Sequence, residues 1–364
     1  VAFIERRLTF HLDWLLLATV LVIVAMGITM IYSATQTTTP RLYTSQLYAL
    51  ALGLLAMLVA LTIDYRTLAD KSHWIYGFTI LLLLYVAFFG VVRGGARRWI
   101  PLGFFNLQPS EFAKLAVALV LAKFFGESRR MQPTGGDLMT GAALTIVPFL
   151  LIARQPDLGT AVTLIPVYLA VAYVAGLPMR ILGILALAAV LAAPVVWKFG
   201  LKDYQKSRIM MFIDPSKDTR GAGYQQIQAR ITVGSGGLWG KGFMKGTQGQ
   251  LRFLPVASTD FIFSAWAEEQ GFVGVLIALG LYLLVITRAL EAARLSKDRL
   301  GSFLVLGILA SFTFQVFYNV TMSAGLAPVK GLTLPLMSYG GSSLIATLTG
   351  FGLILNVRMR RFTN

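Results

Sequence analysis

The stretch Trp14-Leu-Leu-Leu-Ala-Thr-Val-Leu-Val-Ile-Val-Ala-Met-Gly-Ile-Thr-Met-Ile-Tyr-Ser-Ala34 carries no charged residue. A helix needs about 20 mostly apolar residues to cross the hydrocarbon core of a bilayer, because each residue adds only about 1.5 Å. A membrane barrel strand needs about half that number, so a run of this length points to a helix. Gly301–Ala324 is a second charge-free run. Outward from the first, comparable runs recur at 47–63, 74–92, 108–125, 138–153, 158–176, 180–197, 260–287, 301–324 and 334–357. They predict an all-α polytopic membrane protein. It would be a single transmembrane domain over 1–364, a bundle of about ten helices, with one long extracellular or periplasmic loop at 198–259. The first run is too long for the apolar core of a cleavable leader and lacks a small-residue cleavage site, so it reads as a retained span.

Composition narrows the classes further. Of 364 residues, 56% are hydrophobic and 13% charged, too little polar surface for a soluble domain of this length. The absence of cysteine excludes disulfides and thiolate catalysis. With only His11 and His73 present, a histidine dyad or a histidine-based zinc site is excluded as well. The net charge of +16 would suggest nucleic acid in a soluble protein, but here the basic residues sit between apolar runs. That arrangement reads as membrane topology and contact with anionic lipids, with no nucleic-acid partner.

Lys and Arg concentrate in cytoplasmic loops. With a cytoplasmic N-terminus, the inner segments hold Arg66, Lys71, Lys123, Arg180, Arg288, Arg294, Lys297, Arg299 and Arg358 among others. The short outer loops hold Arg41, Arg93, Arg97, Arg98, Arg154 and Lys330. An even number of spans then leaves both termini in the cytoplasm. The loop 198–259 falls outside. Within it Tyr224, Ile227 and Ile231 recur at helical spacing opposite Gln225, Gln228 and Arg230, which predicts an amphipathic helix on the membrane surface.

Ionisable groups beside apolar spans are costly and therefore mark function. In Phe253-Leu-Pro-Val-Ala-Ser258-Thr259-Asp260-Phe-Ile-Phe263 a lone carboxylate heads an apolar helix. Asp260 reads either as a helix cap or as a general base at the edge of an outward-facing cavity. Glu268 lies eight residues on, about 80° around the helix from Asp260, so it and Glu269 read as structural hydrogen bonders to neighbouring helices. In Gln108-Pro-Ser-Glu111-Phe-Ala-Lys114, Pro109 and Ser110 start a helix. Glu111 and Lys114 are spaced to pair, either structurally or for function.

In Arg154-Gln-Pro-Asp157-Leu-Gly-Thr160 a short turn joins two spans, with Asp157 either bracing the turn or facing the bundle. Arg93-Gly-Gly-Ala-Arg97-Arg98-Trp99 suits a phosphate, or simple anchoring to headgroups. The glycine-rich Gly234-Ser-Gly-Gly-Leu-Trp-Gly240-Lys241-Gly242 fails the phosphate-loop pattern at positions 235 and 242. Ser338-Tyr-Gly-Gly-Ser-Ser343 offers small residues for close helix packing.

At these segments the chain resembles the SEDS family (shape, elongation, division and sporulation proteins) of peptidoglycan glycosyltransferases. The resemblance runs in collinear order from Trp99 through Gln108–Lys114, Gln155–Thr160, Ser235–Gly242, Thr259–Ser264, Ala267–Phe272, Tyr318–Val329 and Pro335–Ser343. Pro335-Leu-Met-Ser338 and the short tails are similar to the rod-shape, elongation branch rather than the division branch. Members often carry His two residues before the Asp. Here that residue is Ser258, which removes any imidazole from beside Asp260.

The resemblance implies a lipid II polymerase in the bacterial cytoplasmic membrane, acting on lipid II and a lipid-linked glycan strand. It implies Asp260 as the base for the acceptor hydroxyl, and a prenyl pyrophosphate leaving group that needs positive charge rather than a proton. Arg93, Arg97, Arg98, Lys114, or a divalent ion such as Mg or Mn, would supply that charge. Glu111, Asp157 and Lys241 would join the substrate contacts, with Ser258, Thr259, Glu268 and Glu269 in support. The implied partner is a class B penicillin-binding protein, a transpeptidase that crosslinks the product. The competing class is transport, as a lipid II flippase or another transporter, which would show midplane charges or broken helices in matching halves. The unusual residues cluster instead at the outer ends of spans. A scaffold without catalysis has no positive signature.

Overall fold

Each of the ten apolar runs contains a helix, but the last is turn and loop over 334–340 and becomes helical only at Gly341. The computed structural model describes residues 11–36, 39–93, 96–102, 106–128, 132–200, 203–215, 221–250, 253–254 and 256–362. The helices α1 (Trp14–Thr35), α2 (Pro40–Thr62), the short α3 (Tyr65–Asp70) and α4 (Ser72–Phe89) lead to a small antiparallel sheet. Its strands β1 (Val91–Arg93), β2 (Ala96–Pro101) and β3 (Asn106–Leu107) pair in sequence order. Next come α5 (Pro109–Gly126), α6 (Gly135–Arg154), α7 (Leu158–Val162), α8 (Leu164–Ala175) and α9 (Met179–Val195), which ends in a π-helical turn at Val196–Gly200. The long connection contains α10 (Asp203–Ile213), α11 (Ala222–Ser235) and α12 (Thr247–Gln250). The chain closes with α13 (Ile262–Arg294), α14 (Arg299–Ser323), α15 (Gly341–Met359) and a 3₁₀ turn at Arg360–Phe362.

Eight of these are long and apolar enough to cross a membrane: α1, α2, α4, α6, α7 with α8 as one span, α13, α14 and α15. The other two of the ten are α5, whose 18 residues include Glu111, Lys114 and Lys123, and α9, with 17 residues. Local chemistry sets the ends. Pro40 starts α2 ahead of its apolar run, because Arg41, Thr44, Ser45 and Gln46 interrupt the hydropathy without interrupting the helix. Pro109 opens α5 as expected. Asp13 and Asp298 cap α1 and α14 by accepting from Leu16 N (3.1 Å) and Gly301 N (2.8 Å). Asn356 donates to the carbonyls of Ala60, Leu61 and Ile63 and so closes the end of α2.

The interior is built on α15 and α14, which are buried over most of their length, while α4 and α6 leave most of theirs exposed. α15 lies against α2 at close range. A Cβ at Gly352 would sit 2.7 Å from the carbonyl oxygen of Met57, so only glycine fits. At the end away from Asp260, Asp13 pairs with Arg288 (3.0 Å) and Arg358 (2.7 Å), tying α1 to α13 and α15.

Two features differ from the sequence expectation. The amphipathic helix forms as α11, but Gln226, Ala229 and Thr232 are its buried face and it packs on α13. Ile227 and Ile231 stay exposed. And α13, read as one continuous run, is broken at Gly271, whose φ of 66° and ψ of −167° are not helical. The freed backbone groups are taken up by the glycine-rich loop. Lys241 N and Gly242 N donate to the carbonyls of Glu268 and Glu269 (3.0 Å each). Phe272 N and Val273 N donate to those of Gly237 (2.9 Å) and Leu238 (3.2 Å). A Cβ on Gly271 would approach Gly240 N to 2.2 Å. The glycine-rich stretch that fails the phosphate-loop pattern is thus the cap of a broken helix.

Candidate active site

Asp260 closes the turn that precedes α13. The helix cap position belongs to Phe261 and no side chain caps the helix, so the capping alternative is set aside. The turn is held by its backbone. Tyr339 N donates to the carbonyl of Ser258 (2.8 Å), Ser338 Oγ to that of Thr259 (2.6 Å), and Asn319 Nδ2 to that of Asp260 (2.8 Å). The same Asn319 nitrogen also donates to Leu332 O (2.7 Å), which stitches the 330–332 loop to the Asp260 turn. Gly331 has φ of 70°, and a Cβ there would lie 3.6 Å from Asp260 Oδ2. Glycine at 331 leaves the carboxylate open on that side.

Burial pushes the Asp260 carboxyl up to about 6. Arg208, the Thr259 hydroxyl and Arg98 oppose the rise, and Asp157 adds to it. Such a group is mostly ionised at neutral pH yet is a stronger base than an ordinary aspartate. Arg208, on α10, donates to Val329 O (3.2 Å). Lys330 places its ammonium 5.7 Å over the ring of Tyr318. Burial and the nearby Arg208 hold Lys330 below the usual lysine range. Arg208 thus acts on both Asp260 and Lys330, and such a gathering of cations is suited to stabilise an anion. Sequence reasoning did not select Arg208 or Lys330 as site residues. The one hint was the position of Lys330 directly after the matched Pro328-Val329.

Of the residues singled out by sequence, Arg98 and Asp157 come near Asp260. Asp157 caps α7 through Thr160 N (3.3 Å). It also accepts from Gln108 Nε2 (2.8 Å) and Ser110 Oγ (3.4 Å), and lies 3.7 Å from Arg98 Nη1. Arg98 donates in addition to the carbonyls of Gln155 (3.3 Å) and Pro156. Strand alternation turns neighbouring residues to opposite faces, and Arg97 donates instead to Phe88 O (3.1 Å) at the end of α4. The side chain of Arg93 lies outside the described residues.

Glu111 and Lys114 pair at 2.7 Å and are both buried. They face a cavity of about 30 Å³ between α5, α14 and α15, with Ser311, Gln315 and Thr347. Neither Asp260, Arg208 nor Lys330 lines it. Lys241 is engaged by Glu268 (2.6 Å) and Thr247 Oγ1 (2.9 Å).

Among the described residues, no three His, Cys, Asp or Glu side chains converge on a metal position. A wide cleft of about 910 Å³ opens beside Arg66, Asp70 and Asp298. There the carboxylates already have cations, Asp298 with Arg66 (2.9 Å) and Asp70 with Lys123 (3.0 Å). The carboxyl and the lysine with displaced proton affinities outside the spans lie instead around Arg208, at Asp260 and Lys330.

Fold and site together define an integral-membrane protein with a carboxylate of raised proton affinity and basic side chains gathered at one end of a helical bundle. The family model described as a cell cycle protein, covering FtsW, RodA and SpoVE, matches residues 13–362, and the chain belongs to that family. It is 42% identical to the peptidoglycan glycosyltransferase MrdB of Escherichia coli K12, over 86% of this chain and 84% of the relative. It is 33% identical to the peptidoglycan glycosyltransferase RodA of Treponema pallidum, over 96% and 98% of the two chains. Among solved structures, a chain from a peptidoglycan synthase complex that coordinates polymerization and crosslinking aligns with a TM-score of 0.83 and 36% identity, covering 97% of this chain and 99% of that one. Rod shape determining protein RodA of Thermus thermophilus aligns at 0.73 and 35%, covering 97% and 98%.

Proposed function

We propose that this protein polymerises lipid II into glycan strands at the outer face of the bacterial cytoplasmic membrane during cell elongation. The observation that carries the reading is the Asp260 carboxylate, uncommitted to capping and raised to about 6 by burial, beside Arg208 and Arg98, with Lys330 in the loop that Asn319 stitches to the Asp260 turn. Asp260 takes the proton from the acceptor sugar hydroxyl as that oxygen bonds to the donor's anomeric carbon. The bond from that carbon to the pyrophosphate oxygen breaks with inversion, and the prenyl pyrophosphate leaves as an anion. Arg208, Lys330 and Arg98 stabilise the charge that builds on it. No second carboxylic acid is required, unlike glycoside hydrolysis, where a poor leaving group must be protonated.

A divalent ion, if bound, would supply further positive charge to the pyrophosphate. The Lys and Arg bias supports cytoplasmic termini and, with them, an Asp260 that faces the outer leaflet, where a lipid-borne substrate would arrive laterally. A class B penicillin-binding protein is the fitting partner, in keeping with the similar chain from a complex that both polymerises and crosslinks.

Reconstitution with purified lipid II, alone and with the transpeptidase, tests this reading. Intact protein is expected to yield glycan chains and Asp260→Ala very few. Full polymerisation by that variant would refute the base assignment. Lipid II crossing the bilayer without chain growth would favour transport.

A further inference from the structure

Two adjacent buried carboxylates on α13 are not used by this chemistry. Glu268 and Glu269, 1% and 4% exposed, lie on the outer part of α13, between Asp260 and the break at Gly271. The break matters mechanically. A continuous helix would carry the direction of the long span through to Asp260. Here the segment Ile262–Gln270 is separated from that span, and its last carbonyls bond to the 237–242 loop instead of to the next helical turn. Whatever fastens that loop therefore helps set where the segment, and the turn in front of it, sits.

Both carboxylates fasten it. Glu268 Oε1 accepts from Lys241 Nζ (2.6 Å), Thr247 N (3.0 Å), Thr247 Oγ1 (3.1 Å), Gln248 N (3.2 Å) and Ser235 Oγ (3.4 Å). Glu269 accepts from Met244 N (3.1 Å) and from Ser33 Oγ (2.5 Å) at the end of α1. The loop packs so tightly here that a Cβ at Gly246 would meet Glu268 Oε2 at 3.0 Å. One carboxylate thus grips the loop, and its neighbour joins that loop to the bundle through α1.

We infer that Glu268 with Lys241, and Glu269 with Ser33, form a latch across the broken helix that positions the Asp260 turn for proton transfer. Glu268 and Glu269 are positioning residues. The inference rests on the reading of Asp260 as the base. A charge-assisted hydrogen bond is about twice as strong as a neutral one, so neutralising Glu268 without changing its shape should loosen the grip. A displacement of about 1 Å at a reacting group costs on the order of 100-fold in rate.

The test uses the full-length protein with lipid II. Glu268→Gln and Lys241→Met are expected to lower kcat about 10- to 100-fold, with the KM for lipid II within about twofold. They are also expected to move the acidic inflection of the pH–rate profile, which a simple loss of folded enzyme would not do. Lys241→Arg, which keeps the charge, should restore both. Amide hydrogen exchange over 256–264 should quicken in Glu268→Gln while α14 and α15 stay protected. An unmoved pH profile, or unchanged exchange at 256–264, would overturn the latch and leave the base reading standing. Full activity of Asp260→Ala in the same assays would overturn the base reading whatever the exchange data show.

Discussion

The raised proton affinity of Asp260 leads to a quantitative expectation for pH. The base works only when ionised, so activity should be present above the inflection and lost as pH falls through it. With the carboxyl at about 6, the ionised fraction is about 97% at pH 7.5, about 50% at pH 6 and about 9% at pH 5. The kcat/KM for lipid II, which reports the free enzyme, should then drop about tenfold from pH 7.5 to 5. An aspartate at its ordinary value of 3.8 would still be about 94% ionised at pH 5 and would show almost no loss.

The perturbation that isolates the carboxylate is Asp260→Asn, which keeps shape and removes the base. General-base assistance is worth about 10²- to 10⁴-fold, or about 3–5 kcal/mol of barrier. That variant should be slow at every pH and should lack the acidic limb. Initial rates of glycan formation from lipid II, with each sample returned to pH 7.5 to confirm reversibility, provide the assay. A flat wild-type profile between pH 5 and 7.5, or an Asp260→Asn variant that keeps the wild-type rate, would refute the reasoning.

Arg208 is the leading cation that restrains the proton affinity of Asp260, so Arg208→Gln should shift the acidic limb to higher pH and slow chain growth about 10- to 100-fold. A limb that stays at the wild-type position would separate Arg208 from the base. For the Glu111–Lys114 pair, Lys114→Met leaves a buried carboxylate alone and should destabilise the fold by about 3–5 kcal/mol, whereas Glu111→Gln with Lys114→Met should recover most of the loss. Thermal unfolding in detergent measures both, and equal stability of the single variant and wild type would show that the pair does not hold α5 in place.

The sequence alone determined the membrane class, the helical architecture and three side chains that meet in the structure, Asp260, Arg98 and Asp157. Trp14–Ala34 could be read directly because the length of a charge-free run is set by the thickness of the medium it crosses. Asp260 could be read because an acid at the head of an apolar helix is costly wherever the helix goes. Neither inference needs to know what packs beside it.

The rest depended on which distant residues meet. Asn319 and Ser338 reach the Asp260 turn from 59 and 79 positions away, and Gln108 reaches Asp157 across 49. No periodicity encodes such meetings. Arg208 was one basic residue among several in a long loop, and only the path of α10 returns it to the carboxylate. Gly271 looks like an ordinary glycine inside an apolar run, and its break is tolerated because a remote glycine-rich loop supplies the missing backbone bonds. Local patterns dictate the medium and the helices, because those depend on a residue and its near neighbours. Charge compensation and backbone satisfaction are settled between elements, and there the folded chain decides.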